Sequence, residues 1–180
     1  MWGVPVGLLY SNALEWVIHK YVLHGLGRDR QSFWSFHWHE HHRASRRGAM
    51  EDPGYHRPLW GLHAQGREAL SLVLGSLVHL PLARRYPWFT LTVVGSQWVY
   101  WHVHRKSHLD PAWARAHLPW HVDHHLGPDQ HANWCVTWPG MDYLLGTRKP
   151  WVGTRAEAQR RAPRPRRGDA AQPPSAPVPT

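Results

Sequence analysis

Three apolar stretches determine the helical pattern of this chain. They run from Trp2 to Ile18, from Ala69 to Ala83 and from Trp88 to Val103. A short basic connection over residues 84–87 separates the second stretch from the third, so these two predict a helical hairpin. The pattern therefore predicts an all-α fold.

Each stretch is shorter than the roughly 20 apolar residues that a comfortable membrane span requires. The chain has 13 tryptophans, which could anchor short spans at a lipid interface. We therefore expect membrane-embedded helices, in a bacterial inner membrane or the endoplasmic reticulum. The polar segments, residues 25–67 and 104–153, would form a histidine-rich helical cap on the cytosolic side. A soluble protein with buried helices is the alternative interpretation.

Charge and composition divide the chain into a domain and a tail. The formal net charge is +9, and residues 154–180 hold six arginines against two acidic residues. This segment is rich in Pro, Ala and Arg without apolar periodicity, so we expect a disordered basic tail after a single domain of residues 1–153. Basic residues flank the apolar stretches, which favours an anionic lipid surface over a nucleic-acid partner.

Histidine clusters carry the main chemical signal. The chain has 17 histidines and one cysteine, Cys135, so a metal site must use nitrogen or oxygen donors. The clusters are HKYVLH (His19, His24), HWHEHH (His37, His39, His41, His42), HRKSH (His104, His108) and HVDHH (His121, His124, His125).

Helical spacing brings most of these side chains together. Positions three or four apart share one face of an α-helix, as in the last two clusters. His37 and His41 have the same relation, with His42 beside them. His19 and His24 are five apart, about 140° around an α-helix. They could flank a site or serve different metals, but could not chelate side by side.

The number of histidines indicates more than one metal ion. Neutral imidazole suits Fe, Zn, Cu or Ni, and one ion needs about four to six donors. Ligand histidines usually donate their other N–H to a carboxylate or a carbonyl. Glu40 and Asp123 lie inside the clusters and are the candidates for that role.

Three other functions are compatible with parts of the pattern. His37, Glu40 and His41 spell H-x-x-E-H, an inverted zinc-peptidase motif that leaves the other clusters unused. A membrane metal-ion carrier or sensor would need donors inside the apolar stretches, where His79 is the main one. A haem protein needs fewer histidines than the four clusters provide.

The order H-x4-H, H-x3-H-H, H-x3-H, H-x2-H-H resembles the fatty acid hydroxylase superfamily, which includes sterol desaturases and carotenoid hydroxylases. Asn133 after the last cluster and the segment from Asp142 to Thr147 add to the resemblance, which covers roughly Leu9 to Arg148. The family pattern has a full helical hairpin before the first cluster, where this chain has one apolar stretch. Trp38 stands where many members have a histidine.

The resemblance implies a non-haem di-iron oxygenase that hydroxylates or desaturates a lipid C–H bond with O2. Electrons would come from a separate ferredoxin- or cytochrome b5-like protein and its reductase. Carried over cluster by cluster, the ligands of the two irons would be His19, His24, His37, His41, His42, His104, His108, His121, His124 and His125, with His39 and His131 as less certain members.

Overall fold

A computed structural model describes residues 2–161 as an assembly of helices without strands. The all-α prediction therefore agrees with the described part of the chain. The α-helices are α1 (Gly3–Val17), α2 (His42–Arg47), α3 (Ala64–His79), α4 (Pro87–Leu109), α5 (Pro111–His117), α6 (Pro119–Leu126), α7 (Gly140–Leu144) and α8 (Arg155–Arg161). Two π-helices (Ile18–Leu23, His37–His41) and three 3-10 helices (Leu26–Arg28, Pro53–His56, Leu80–Arg84) complete the set within the described residues.

The predicted helical hairpin is confirmed. Helices α3 and α4 pack together and are joined by the 3-10 helix Leu80–Arg84. Pro87 begins α4, where a missing N–H costs no hydrogen bond. Helix α1 packs along α4, and Gly7 permits the close approach because a Cβ there would lie 2.8 Å from the Thr92 side chain. The three long helices thus form one packed unit.

The prediction of membrane-embedded helices is wrong for the described residues. Within residues 2–161, no helix combines the length and the apolar character needed to cross a bilayer. Helices α1 and α3 have only 15 and 16 residues. Helix α4 has 23 residues, but its last two turns carry His104, Arg105, Lys106 and His108. The predicted integral-membrane location therefore has no support from these helices.

The most buried part of the molecule is polar. Many apolar side chains of α1, α3 and α4 are exposed, among them Leu9, Val73 and Leu91. By contrast, histidines make up more than half of the largest fully buried side chains. The elements around the three long helices therefore enclose a core of imidazole rings, which two small apolar clusters accompany.

The start of the predicted disordered tail is ordered. Helix α8 begins at Arg155, and Arg115 donates two hydrogen bonds to the Glu157 carboxylate, of 2.7 and 2.5 Å. This ion pair ties α8 to α5. The remainder of the predicted tail lies outside the described residues.

A buried carboxylate joins α1 to the segment after α6. Glu15 accepts hydrogen bonds from the backbone N–H groups of Val136 and Thr137 and from the Thr137 hydroxyl. Burial raises the pKa of Glu15, while these donors favour its ionised form. The contact fixes residues 132–137 against the end of α1, next to the histidines.

We predict that Glu15→Ala destabilises the fold, because it leaves two partly buried backbone N–H groups unpaired. The free energy of unfolding should fall by about 2–4 kcal/mol. Chemical denaturation of the purified protein measures this. The exposed Glu51 provides the control, since Glu51→Ala should change the value by less than about 0.5 kcal/mol. Equal stability of the two variants would contradict the anchoring role of Glu15.

Candidate metal centre

The structure brings the ten predicted ligands into one buried region. None of them is more than 2% exposed, although they come from five separate elements of the chain. Their rings divide into two adjoining groups, which we call the first and the second histidine group.

The first histidine group consists of five residues that could hold a metal ion. One ring nitrogen from each lies within 4.8 Å of the others. Nε2 of His24 lies 2.9 Å from Nε2 of His42, and Nε2 of His124 lies 3.2 and 3.1 Å from these two atoms. The members are His19, His24, His37, His42 and His124.

Two π-helical turns create this group. The His24 N–H bonds to the His19 carbonyl, five residues back, and the His42 N–H bonds to that of His37 in the same way. A π-turn aligns side chains five positions apart, which an α-helix does not. The expectation that His19 and His24 could not act side by side is therefore wrong. Their ring centroids are 5.1 Å apart.

The second histidine group lies directly beside the first. Its members, His41, His104, His108 and His125, offer ring nitrogens within 4.8 Å of one another. His104 and His108 are one turn apart on α4, as the spacing predicted. His121 adjoins this group, because its Nε2 lies 3.1 Å from Nε2 of His108.

Histidines that are adjacent in the sequence belong to different groups. His41 and His42 diverge, as do His124 and His125, because successive side chains of a helix point about 100° apart. His37 and His41, expected to converge, belong to different groups, because the π-turn aligns His37 with His42 instead. The groups nevertheless touch, since the His42 and His125 rings stack with centroids 4.4 Å apart.

Backbone carbonyls orient three of the rings. Nδ1 of His124 donates to the Ala132 carbonyl at 2.8 Å, and Nδ1 of His108 donates to the Met50 carbonyl at 2.7 Å. Nδ1 of His19 bonds the Trp134 carbonyl in the same manner. With the proton held on Nδ1, the Nε2 lone pair of each neutral ring is free to face the group.

Two carboxylates that sequence reasoning missed orient two further rings. Asp52 accepts from Nδ1 of His41 at 3.1 Å, and Glu68 accepts from Nδ1 of His104 at 2.5 Å. The Tyr55 hydroxyl also donates to Glu68 at 2.6 Å. Both acids lie outside the clusters, so proximity in sequence gave no signal for them. The sequence D-P-G at Asp52 indicates a helix cap, and Asp52 does cap the 3-10 helix Pro53–His56.

The carboxylates that were predicted for this role have other partners. Glu40 forms an ion pair with Arg67, and its side chain is 49% exposed. Asp123 is buried, but it accepts from the Trp151 and Val152 N–H groups and pairs with Arg148. The inverted peptidase motif is therefore not assembled, since Glu40 faces away from the groups that its flanking histidines join.

The two less certain histidines lie outside both groups. His39 donates to the Arg28 carbonyl at 2.9 Å. His131 is exposed, contacts the Arg28 guanidinium and stacks on Trp38 with ring centroids 5.8 Å apart. The His131 ring lies at the edge of the first group, with its centroid 6.0 Å from that of His24.

Burial lowers the pKa of nine of these ten imidazoles and so favours their neutral form. Loss of solvation and repulsion from His124 and other rings lower the pKa of His19 and His42 well below its ordinary value. Burial lowers the pKa of His124 to about 3, although its bond to Ala132 opposes the change. A neutral ring offers a lone pair, which is the form that binds a metal ion.

Several buried ring nitrogens have no hydrogen-bond partner among the described residues and are available to bind a metal ion. In the second group, Nε2 of His41, His104 and His125 are buried without a hydrogen-bond partner among the described residues. Buried polar atoms are rarely left without a partner. Nδ1 of His41 and Nδ1 of His104 each form a hydrogen bond with a carboxylate. Their Nε2 atoms therefore keep a lone pair that is free to bind a metal ion. The two groups could therefore hold metal ions.

An apolar cavity reaches the first group. Its volume is about 340 Å³, and it lies between α1, α3 and α4. Ile18, Leu72 and Val93 are among its apolar lining residues, and His19 and His37 lie at its wall. The cavity therefore provides apolar space next to the candidate ligands.

No known protein family model matches the chain, and no match was found among curated proteins or solved structures. The likeness to the fatty acid hydroxylase superfamily thus rests on sequence motifs alone: the histidine pattern, Asn133 and the segment from Asp142 to Thr147.

We predict that Glu68→Gln weakens metal binding about 10- to 100-fold, because the amide is a poorer partner for Nδ1 of His104. Competition with a chromogenic chelator measures the affinity. Glu40→Gln is the matched control and should leave the affinity within about two-fold, since Glu40 pairs with Arg67. Equal losses in both variants would contradict the role given to Glu68.

We predict that the metal-free protein loses stability as the pH falls below about 6.5. The folded state holds these histidines neutral with lowered pKa values, whereas the unfolded chain binds protons at the ordinary pKa. The contribution of these histidines to the free energy of unfolding is therefore fully present above that pKa. It declines by about 1 kcal/mol per histidine for each pH unit below it. Denaturation at pH 7.5 and 5.5 tests this, and a pH-independent unfolding free energy would contradict it.

Proposed function

We propose that this protein is a non-haem di-iron oxygenase that hydroxylates or desaturates a C–H bond of a lipid hydrocarbon chain. The observation that carries the proposal is the pair of adjoining, buried histidine groups, with an apolar cavity at the wall of the first. The order of the clusters, which resembles the fatty acid hydroxylase superfamily, supports the same reading.

The number of ring nitrogens in the first group favours iron over a structural zinc. In the first group, five pairs of Nε2 atoms lie within hydrogen-bond distance of each other, at separations of 2.9–3.2 Å. Ligands about 2.1 Å from a metal lie about 3.0 Å apart at right angles and about 3.4 Å apart in a tetrahedron. Five histidines also exceed the four ligands of a structural zinc site. The set therefore suits a metal of higher coordination number.

When bound, two irons would supply O2 activation: one oxygen atom enters the C–H bond, and the other leaves as water with two electrons and two protons. The protein residues have the other tasks. The apolar cavity wall, including Leu72 and Val93, excludes water and positions the chain against His19 and His37. Glu68 holds the proton on Nδ1 of His104, so that Nε2 faces the second group.

We predict that purified protein reconstituted anaerobically with Fe(II) binds about two irons per chain and consumes O2 in the presence of a lipid substrate. His124→Ala should lower iron affinity at least about 100-fold and abolish turnover, because it removes a ligand of the first group. The exposed His117 is the control, and His117→Ala should retain both properties. Lipid extracts of expressing cells, analysed by mass spectrometry, identify the product.

Two results would contradict the proposal. Full iron loading in His124→Ala would show that the ligand assignment is wrong. Tight binding of zinc, with iron bound poorly and no O2 consumption, would instead favour a metal carrier or sensor.

We predict that Gly75→Leu narrows the cavity and excludes the longest hydrocarbon chains. Gly75 lines the cavity, and a Cβ there already lies 3.0 Å from the Gln97 side chain. The apparent affinity for long substrates should fall about ten-fold relative to short ones. Gly95→Leu is the matched control, because a Cβ at Gly95 meets nothing within 4 Å. An unchanged chain-length profile in Gly75→Leu would place the substrate elsewhere.

A further inference from the structure

We propose that a basic depression beside the first histidine group docks an acidic one-electron carrier protein, with Trp38 as the contact between this surface and the ligand rings. The inference rests on the proposed function, because hydroxylation consumes two electrons for each O2.

The depression opens directly above a candidate ligand. It is a shallow surface site of about 290 Å³. His42 of the first group contributes to its lining although its own exposure is only 2%. The other lining residues are Trp38, Arg43, Arg46, Arg47 and Gln130. The site is therefore where the surface comes close to the candidate metal centre.

The rim of the depression is positively charged. Arg43, Arg46 and Arg47 are exposed on α2 at positions i, i+3 and i+4, which share one face of a helix. Burial and the nearby Arg160 lower the pKa of Arg46, so a further cation lies close to the rim. Such a concentration of positive charge attracts an acidic protein surface and speeds its association.

Trp38 connects this surface to the ligands. Its ring lies with centroid distances of 5.1 Å from the His24 ring and 5.6 Å from the His42 ring. On its other side the Arg28 guanidinium lies 5.4 Å from the indole, and the exposed His131 stacks at 5.8 Å. The indole thus stands between the surface and two rings of the first group.

The electron balance defines the partner class. Each carrier protein is oxidised by one electron, and a ferric ion held by the histidines is reduced to the ferrous state. Two such transfers supply the electrons for one hydroxylation. A small acidic iron–sulfur protein meets these needs, because complexes between redox partners are weak, small and steered by charge.

The test measures binding separately from redox chemistry. The full chain is loaded with zinc, which cannot be reduced, and titrated with an acidic [2Fe–2S] ferredoxin at several salt concentrations. The double variant Arg43→Glu/Arg47→Glu should bind at least about ten-fold more weakly than wild type. Arg43→Lys/Arg47→Lys, which keeps the charge, should bind nearly normally. Arg84→Glu/Arg85→Glu makes the same charge change at the α3–α4 turn and is the control.

A second measurement follows reduction of iron-loaded protein by stopped-flow absorbance. Trp38→Leu should slow reduction by ferredoxin at least about five-fold more than reduction by dithionite, which needs no docking. Circular dichroism verifies that each variant is folded. If a charge-reversal variant is unfolded, Arg43→Gln/Arg47→Gln replaces it, with a smaller expected loss.

The outcomes separate this inference from the proposed function. If Arg43→Glu/Arg47→Glu and Arg84→Glu/Arg85→Glu bind ferredoxin equally well, the proposed docking site is wrong, even if dithionite reduces the iron. The docking site is also wrong if an oligonucleotide of equal charge binds more tightly than ferredoxin and displaces it. That result would indicate a surface that binds nucleic acid. Failure to load reducible iron overturns the proposed function, while the zinc-loaded titration still decides the docking site.

Discussion

The convergence of neutral imidazoles in one buried region is the constraint on which this structure depends. Burying so many polar rings is costly unless each nitrogen has a partner. Backbone carbonyls and the carboxylates of Asp52 and Glu68 satisfy Nδ1 of five rings, those of His19, His41, His104, His108 and His124. The inward nitrogens of His41, His104 and His125 have no such partner among residues 2–161. A bound metal ion would satisfy them and would join elements that share little apolar contact, so metal binding and folding should be coupled.

Local helix geometry assigns each histidine to its group. The π-turns at Ile18–Leu23 and His37–His41 align residues five apart, and α4 aligns residues four apart. The segment after α6 then closes the first group from the other side, because its carbonyls hold His19 and His124. Asp142 fixes that segment by accepting from the Trp134 and Cys135 N–H groups. The segment from Asp142 to Thr147 thus holds residues 134 and 135 in place near the site.

The sequence was most informative where periodicity is local. The α3–α4 hairpin and the one-turn spacing of His104 and His108 follow from apolar pattern and α-helical geometry. The π-turns could not be predicted, because i, i+5 pairing looks unfavourable in the α-helix that the pattern implies. Glu68 was missed because its partner His104 is 36 positions away. Membrane spans were overpredicted, since apolar stretches of this length also suit short helices with exposed apolar faces.

The most direct test of the central claim is a crystal structure of the iron-reconstituted protein, with anomalous data collected on both sides of the iron absorption edge. Two iron peaks should appear, one among His19, His24, His37, His42 and His124 and the other among His41, His104, His108 and His125. A single peak, or peaks bonded to residues outside these two groups, would contradict the dinuclear assignment.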